Sequence, residues 1–354
     1  MTDAAALKSD ASNSAFPWAK RGSARCKSKE TVMCCAFSAD DTLLVVGFYD
    51  GTVACFDLHT LGVRHESVVG RSSGGKAAAI TAIAVRPTRG GAKPGYLIAT
   101  TNGDLLRMDT QFSITDSVVD SGGVIYSCDY SADGVFFATA GHDAVIRVYK
   151  DAHGGQLVQE VRLAPEYATN VAALRLFSVR FDPEVNERYY AAGWGNTIHA
   201  HRVSATPEEK PTELFGAYVT GEALDVRKGV VISASHRLDD AVQLWDTDTH
   251  KPTTIPWPVK HRFLPSCARL SCDGRFVGVG GAGGEGLDAG FFAVDLSSGK
   301  PVIDVKVDKA VTACAFAHAE ALVAFCDGEG HVQVYENRFA NRTAAGSAVA
   351  AVRA

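Results

Sequence analysis

The chain has 354 residues, of which 46% are hydrophobic and 34 are glycine, and its formal net charge at pH 7 is −5. This composition is typical of a β-rich, turn-rich globular protein, and the acidic balance argues against general nucleic-acid binding. No apolar run approaches the ~20 residues of a membrane-spanning helix, and the first 16 residues lack the basic start and apolar block of a secretory signal.

Seven short segments of similar pattern recur along the chain. Their fifth position moves from residue 56 in the first segment to residue 335 in the seventh, so the six intervals average 46.5 residues. A fixed period of this length is the signature of a repeat array, in which each repeat is one supersecondary unit. The segments are Thr52–Asp57, Asp104–Asp109, Val145–Lys150, Thr197–Arg202, Ala241–Asp246, Gly290–Asp295 and His331–Glu336.

The third repeat shows most clearly what one unit contains. Val124–Tyr130 and Val135–Ala140 are rich in β-branched and aromatic residues, and turn sequences separate them from each other and from Val145–Lys150. Such runs between Gly, Asp and Ser clusters predict strands joined by tight turns. A fourth strand is predicted in most repeats, at Val63–Val69, Ser113–Val119, Gln156–Arg162, Pro211–Ala217 and Lys300–Val307.

Four short strands cannot bury both faces of their sheet alone, so neighbouring repeats must stack. Seven such sheets arranged radially leave only short, protected edges. We therefore predict an all-β fold, a seven-bladed β-propeller of four-stranded antiparallel blades. The predicted repeats span about residues 31–60, 76–112, 122–152, 175–203, 218–249, 264–299 and 310–337.

These segments resemble the WD40-repeat family over residues 31–337, and Trp245–Asp246 is the one true Trp-Asp pair among them. The family favours an acidic turn residue two positions before each third strand. Here six of the seven repeats have a residue at that position that can accept hydrogen bonds from turn amides, namely Asp50, Asn102, Asp143, Asp239, Asp288 and Glu329.

The chain also departs from the family pattern. The Gly-His pair that the family favours before the first strand is missing from every repeat. The resemblance therefore implies an incomplete polar relay, of which Thr139, Asp143 and Tyr149 look like a remnant in the third repeat. We expect the blades to depend more on apolar packing than on this relay.

The segments outside the repeats determine how the ring closes. The sequence predicts a disordered tail at residues 1–18, a WD40-like propeller at residues 19–337 and a C-terminal tail at residues 338–354. The seventh repeat lacks an obvious fourth strand to cover its edge. Ala19–Lys27 and Ser347–Arg353 are the two candidates, and we favour Ala19–Lys27 because WD40-like rings are closed by their N-terminus.

Nine cysteines lie mostly inside predicted strands, and no CxxC pair occurs. This pattern predicts free, buried thiols in a reducing compartment and hence a cytoplasmic protein, with a nuclear or cytoskeleton-associated location as the alternative. His199 and His201 lie on one side of a strand, but two ligands without a third rarely hold a metal, so we interpret them as packing residues. We predict no metal and no cofactor.

Both ends of the propeller are basic. Lys20–Lys29 carries five basic residues and no acidic one, and Arg338, Arg342 and Arg353 follow the last repeat. Such segments can contact an acidic partner or a phosphate backbone, but a short charge run is more often simply solvated.

No catalytic motif emerges from the sequence. Gly280–Gly290 holds six glycines, but it joins two predicted strands and does not open a helix, so it does not fit a phosphate-binding loop. No GxSxG sequence occurs. We predict that the protein is not an enzyme, and we retain a propeller hydrolase or lyase with a central-channel site as the alternative.

In WD40-like rings, partners commonly dock on the face formed by the loops that enter the first strands and by the turns between second and third strands. Five large side chains fall at positions that point to this face: Tyr49, Tyr126, His142, Phe177 and Trp194. Aromatic residues near the centre of an interface supply most of its binding energy. We predict that these five residues bind protein, and ordinary packing between blades is the alternative.

The sequence thus predicts a non-catalytic protein-protein interaction scaffold, a subunit or adaptor of a larger complex such as a cytoskeletal or regulatory one. The expected partners are proteins, and the sequence does not identify them. We expect no membrane contact and no small-molecule substrate. RNA or anionic-surface binding through the basic ends is a weaker alternative.

Overall fold

The computed structural model describes residues 18–70, 75, 77–88, 93–120, 123–163, 170–203, 211–256, 262–284, 286–319 and 321–338. These residues form seven four-stranded sheets in which hydrogen-bonded neighbours are antiparallel. The predicted all-β, seven-bladed propeller is therefore confirmed. The described ranges also contain two short 3-10 turns, Ala152–Gly154 and Val171–Leu174.

Each blade takes four strands, and six of the blades are continuous in sequence. Blade 1 contains β2 (Val32–Phe37), β3 (Leu43–Phe48), β4 (Thr52–Asp57) and β5 (Val63–Val68); blade 2 contains β6 (Ile80–Arg86), β7 (Gly95–Thr100), β8 (Asp104–Asp109) and β9 (Ile114–Val119); blade 3 contains β10 (Ile125–Tyr130), β11 (Phe136–Gly141), β12 (Val145–Lys150) and β13 (Gln156–Arg162). Blade 4 contains β14 (Leu176–Phe181), β15 (Arg188–Gly193), β16 (Thr197–Arg202) and β17 (Thr212–Phe215); blade 5 contains β18 (Leu224–Arg227), β19 (Val230–Ala234), β20 (Val242–Asp246) and β21 (Pro252–Thr254); blade 6 contains β22 (Leu264–Leu270), β23 (Phe276–Ala282), β24 (Ala289–Asp295) and β25 (Lys300–Val307).

Blade 7 combines the two ends of the propeller. It contains β26 (Val311–Phe316), β27 (Leu322–Asp327), β28 (His331–Asn337) and the N-terminal strand β1 (Trp18–Arg25). The first strands of successive blades lie side by side, and β26 lies beside β2. The sheets therefore form a closed ring whose first strands surround a central channel.

The N-terminal strand closes the ring, as predicted. β1 pairs with β28 from Trp18 opposite Asn337 to Arg25 opposite His331. Trp18, which the sequence placed in the disordered tail, instead begins this strand and is 2% exposed. Its ring packs edge-to-face on Phe276 of blade 6, with the centroids 5.3 Å apart. The remainder of the predicted tail, residues 1–17, and the alternative closing segment Ser347–Arg353 lie outside the described residues.

The basic residues of the N-terminal segment lie along the outer edge of blade 7. Lys20, Arg21 and Arg25 belong to β1, Lys27 and Lys29 follow it, and all five side chains are exposed. Positive charge on an exposed edge strand hinders its pairing with another sheet edge. The Lys20–Lys29 run is therefore part of the ring structure and not a free tail.

Turn chemistry helps to explain where the third strands begin. Asp50 and Asp143 each accept the N–H of the residue two positions later, at 3.0 and 3.3 Å, in the role predicted for them. In blade 7 the carboxylate of Asp327 accepts the N–H groups of Glu329 and His331, at 2.9 and 3.0 Å. Glu329 does not take the predicted role, because Asp327 already reaches the amides of that turn.

The polar relay in blade 3 is built around a different acid from the one predicted. Thr139 and Tyr149 both donate their hydroxyl hydrogens to the same carboxylate oxygen of Asp120, at 2.7 and 2.8 Å. Asp143 pairs instead with Arg147 at 2.6 Å. Asp120 precedes the first strand of the blade, in the connection where the family's His would lie. The assignment of Asp143 to the relay was therefore wrong.

Apolar side chains fill the spaces between adjacent blades. Small residues let the sheets approach closely: a Cβ added to Gly47 would lie 2.4 Å from Cγ2 of Ile80 in the next blade. Blade 5, which carries the Trp-Asp pair, retains a buried polar contact, since the indole N–H of Trp245 donates to the hydroxyl of Ser233 at 2.8 Å. Apolar contact holds neighbouring blades together, and hydrogen bonds between blades add to it, such as the one from the N–H of Leu270 in blade 6 to the carboxylate of Asp225 in blade 5 at 2.9 Å.

Candidate protein-binding face and central channel

The strand order determines which loops share a face of the ring. Because the strands of each blade alternate in direction, the connections into the first strands and the turns between second and third strands emerge on one side. We call this side the upper face. The turns between first and second strands emerge on the opposite, lower face.

A β-bulge recurs at the second or third residue of the first strand. In six of the seven blades the pairing of the first two strands skips one residue there. Bulges bend a strand and change the direction of the bulged side chain. The bulged residues are Met33, Thr81, Tyr126, Phe177, Ser266 and Thr312. Tyr126 and Phe177 therefore occupy equivalent positions at the upper end of the channel wall.

Three of the five predicted residues come together across blades 3 and 4. The rings of Tyr126 and Phe177 stack with centroids 4.7 Å apart and planes 19° from parallel. Phe177 in turn contacts Trp194, on the upper turn of blade 4, with centroids 5.3 Å apart and planes inclined by 42°. All three side chains are half-buried. We call Tyr126, Phe177 and Trp194 the aromatic ladder.

The backbone around Arg175 and Gly193 positions the third ring of the ladder. The N–H of Trp194 donates to the carbonyl oxygen of Arg175 at 3.0 Å. This approach requires glycine at position 193, because an added Cβ would lie only 1.8 Å from that carbonyl oxygen. The guanidinium carbon of Arg175 lies 5.2 Å from the centre of the Trp194 ring, which is a cation–π contact.

The other two predicted residues, Tyr49 and His142, lie on the same face but do not take part in the ring contacts of the aromatic ladder. Tyr49, on the upper turn of blade 1, is 61% exposed, and blade 2 separates it from blade 3. His142 lies on the upper turn of blade 3, where its backbone N–H donates to the carbonyl of Val124 at 3.0 Å. Phe177 also packs against the apolar core, so part of its side chain is buried between blades and part remains exposed on the upper face.

Below the ladder, the channel wall changes character from blade to blade. Three residues after the bulge, blades 1, 2 and 7 have alanine at positions 36, 84 and 315. Blades 3, 4 and 6 have Asp129, Arg180 and Arg269 at this position, and Asp225 takes the corresponding place in blade 5. These residues line a cavity of about 270 Å³ to which all seven blades contribute. One side of the channel is thus small and apolar, and the other carries alternating charges.

Glu222 connects the charged side of the channel. Its carboxylate accepts hydrogen bonds from Ser127 at 3.0 Å and from Arg180 at 2.9 Å, and it forms an ion pair with Arg269. Its backbone carbonyl accepts the N–H of Ala268 at 3.1 Å. One side chain of blade 5 therefore contacts blades 3, 4 and 6.

The electrostatics of this cluster indicate a structural role. Burial raises the pKa of Glu222, but the charges of Arg180 and Arg269 and the bond from Ser127 outweigh burial, so that the pKa lies below its ordinary value. Burial raises the pKa of Asp129, although Arg180 opposes this. The carboxylate of Glu222 is occupied by structural partners, and we assign it the role of joining blades. This cluster was not predicted from the sequence, although charged residues at one register in four successive blades were a signal for it.

His199 and His201 behave as packing residues. The ring of His201 stacks on Tyr189 of the neighbouring strand at 5.5 Å, and His199 lies 3.7 Å from a carboxylate oxygen of Glu213. Burial, followed by the charge of His199, lowers the pKa of His201 to about 4. Across the part of the chain that the structure describes, no three His, Cys, Asp or Glu side chains come together as a metal site.

The nine cysteines are all free thiols, as predicted, and seven of them are buried. Burial, together with the carboxylate of Glu66, raises the pKa of Cys26 to about 11, which keeps this half-buried thiol protonated. Within the described ranges, no helix has both the length and the apolar character needed to cross a membrane.

Comparison with known proteins supports the repeat assignment. The family model "WD domain, G-beta repeat" matches residues 23–57 and 114–150. A search of curated proteins finds no match. Each matched stretch runs from the outer strand of one blade through the first three strands of the next, from β1 to β4 and from β9 to β12. Two such matches, together with a closed ring of seven four-stranded blades, support the assignment of the chain to the WD40-repeat family.

Proposed function

We propose that this chain is a non-catalytic scaffold that binds other proteins through its upper face, as a subunit or adaptor of a larger complex. WD40 propellers generally bind proteins, and the family is typically non-catalytic. We further propose that the protein acts in the cytoplasm or nucleus. Its free cysteines support this location, because a reducing compartment keeps thiols unpaired.

The aromatic ladder is the observation that carries the proposal. Tyr126, Phe177 and Trp194 form a continuous, half-buried aromatic surface beside the channel mouth. Such a surface offers large contact area with few rotatable bonds, and an anchor of this kind is often worth ~2 kcal/mol or more per residue. Tyr49 and His142 extend the proposed surface around the same face.

Affinity purification with mass spectrometry tests this proposal. We expect the wild-type chain to capture specific proteins from a native extract, and the double variant Tyr126→Ala, Trp194→Ala to lose them, because it removes both ends of the ladder. Val135→Ala is the control, since Val135 is 39% exposed beside the lower-face turn of the same blade. Circular dichroism establishes that each variant is folded.

Two results would contradict the proposal. If the double variant captures the same proteins as the wild type, the ladder is not the docking surface. If the double variant unfolds while the control does not, these rings belong to the core.

A further inference from the structure

We infer that the upper face selects a partner segment carrying a carboxylate, which binds Arg175 beside the aromatic ladder. The ligand class is an acidic peptide, with an Asp or Glu side chain next to an apolar one. This inference rests on the proposed function and names the chemistry of the partner.

Arg175 is a half-buried cation with no acidic partner among the residues that the structure describes. No hydrogen bond or ion pair of its guanidinium is found among the residues described, and its Nε is buried without an acceptor. The Nε atoms of Arg147 and Arg180 also lack a hydrogen-bond acceptor, but the guanidinium groups of these two arginines, unlike that of Arg175, form ion pairs with carboxylates. The charge of Arg175 is therefore available to a ligand.

A second unsatisfied donor lies in the same place. The indole Nε1 of Trp194 is buried and has no hydrogen-bond acceptor in the described structure. Buried N–H groups almost always have an acceptor, and the exceptions require an explanation. Trp194 and Arg175 are in contact through the cation–π geometry, so both unsatisfied donors belong to one site. A bound oxygen acceptor that displaces the covering side chains would satisfy them.

A carboxylate fits these donors better than a neutral acceptor does. A guanidinium binds carboxylate oxygens through charge-assisted, often bidentate hydrogen bonds, and the stacked Arg175 has already lost much of its rotamer freedom. The aromatic ladder provides the apolar surface on which the neighbouring side chain of the peptide packs. The net charge of −5 disfavours an extended polyanion, so a single carboxylate in an apolar context is the better match.

The test is selection of random twelve-residue peptides displayed on phage against the full-length chain. We expect the selected peptides to be enriched in Asp or Glu beside Leu, Phe or Trp. Fluorescence anisotropy with the synthetic peptides should then show at least tenfold weaker binding when the peptide's Asp or Glu is replaced by Asn or Gln. This replacement tests the wild-type protein and so does not depend on the folding of any variant.

Protein variants localise the effect. Arg175→Met, which keeps an apolar side chain but removes the charge, should weaken binding of the selected peptides at least tenfold and abolish the salt dependence of that binding. Arg175→Lys keeps the charge and should retain the preference for acidic peptides. Trp194→Ala should abolish binding of all selected peptides.

The possible failures are distinguishable. Peptides that need Trp194 but show no acidic enrichment and bind Arg175→Met equally well would overturn this inference and leave the proposed function standing. Peptides whose binding is indifferent to Tyr126 and Trp194 would overturn the proposed function and the inference together. Selection of no peptide would also overturn both.

Discussion

Glu222 illustrates how much one side chain contributes to the ring. Its carboxylate accepts hydrogen bonds from Ser127 of blade 3 and Arg180 of blade 4 and pairs with Arg269 of blade 6, and its side chain is 13% exposed. Buried ion pairs are weak evidence of net stability, since desolvation offsets the attraction. Removal of one partner is nevertheless costly, because the remaining charges stay buried without compensation.

We expect Glu222→Gln to lower the free energy of unfolding by about 3 kcal/mol or more, as measured by urea denaturation. Glutamine keeps the size of the side chain but removes the carboxylate charge that Arg180 and Arg269 share, so that Asp129, 3.6 Å from Arg180, is the carboxylate still paired with that guanidinium group. Glu184→Gln is the matched control, because Glu184 meets Lys228 at 3.9 Å with side chains 39% and 63% exposed. Exposed pairs of this kind contribute about 1 kcal/mol or less. Equal effects of the two substitutions would show that Glu222 does not join the blades.

At the scale of elements, β1 determines whether the ring is closed. It is the first strand in sequence, yet it completes the last blade, so it joins the two ends of the propeller without a covalent bond. Without it, β28 would expose an unpaired edge, and Phe276 and Phe316 would lose the ring of Trp18. The apolar contact and the strand pairing therefore support each other.

Trp18→Ala should lower the free energy of unfolding by about 3–5 kcal/mol, the usual cost of truncating a buried tryptophan. Deletion of residues 1–29 should lower the melting temperature further, because it also removes the β1–β28 pairing. Arg21→Ala serves as the control, since Arg21 is exposed at the irregularity in that pairing. An unchanged melting temperature after the deletion would argue against closure by β1. Differential scanning calorimetry provides both measurements.

At the scale of the whole molecule, two buried groups make the ring sensitive to acid. Burial and the charge of His199 lower the pKa of His201 from 6.5 to about 4. The pKa of Glu222 is lowered as well, since Arg180 and Arg269 outweigh burial. For both groups the unfolded chain binds protons more readily than the folded chain does. Their contribution to stability is thus present above the unfolded pKa and is lost as the pH falls through the folded pKa.

We therefore expect the free energy of unfolding to fall between pH 6.5 and pH 4 through the titration of His201. The contribution of this residue amounts to at most about 3 kcal/mol. His201→Gln should remove that part of the pH dependence, because glutamine does not bind a proton, whereas the exposed His59→Gln should leave it unchanged. Urea denaturation at a series of pH values measures it. Parallel pH profiles for wild type and His201→Gln would disprove the assignment.

The number of blades and the pattern of strands follow from the amino-acid sequence alone. The signals for strands and turns are local, because each depends on only a few neighbouring residues, as in the turn Ser131–Gly134 between β10 and β11. Each repeat of about 46.5 residues therefore contains its own strand and turn signals. The positions of Tyr126 and Phe177 at the upper ends of their first strands likewise followed from their register in the repeat, whereas the bulges at these positions were not predicted. Proximity of blades 3 and 4 then placed these two rings in contact.

Contacts between distant parts of the chain form only when the blades assemble into the ring. Ser127 and Glu222 are 95 residues apart, and β1 pairs with a strand at the opposite end of the propeller. The same reason explains why Asp120, and not the predicted Asp143, belongs to the polar relay of blade 3. The segment that connects blades 2 and 3 places the carboxylate of Asp120 within hydrogen-bond distance of Thr139. Such partners depend on ring closure and on how blades pack, and a single repeat does not encode them.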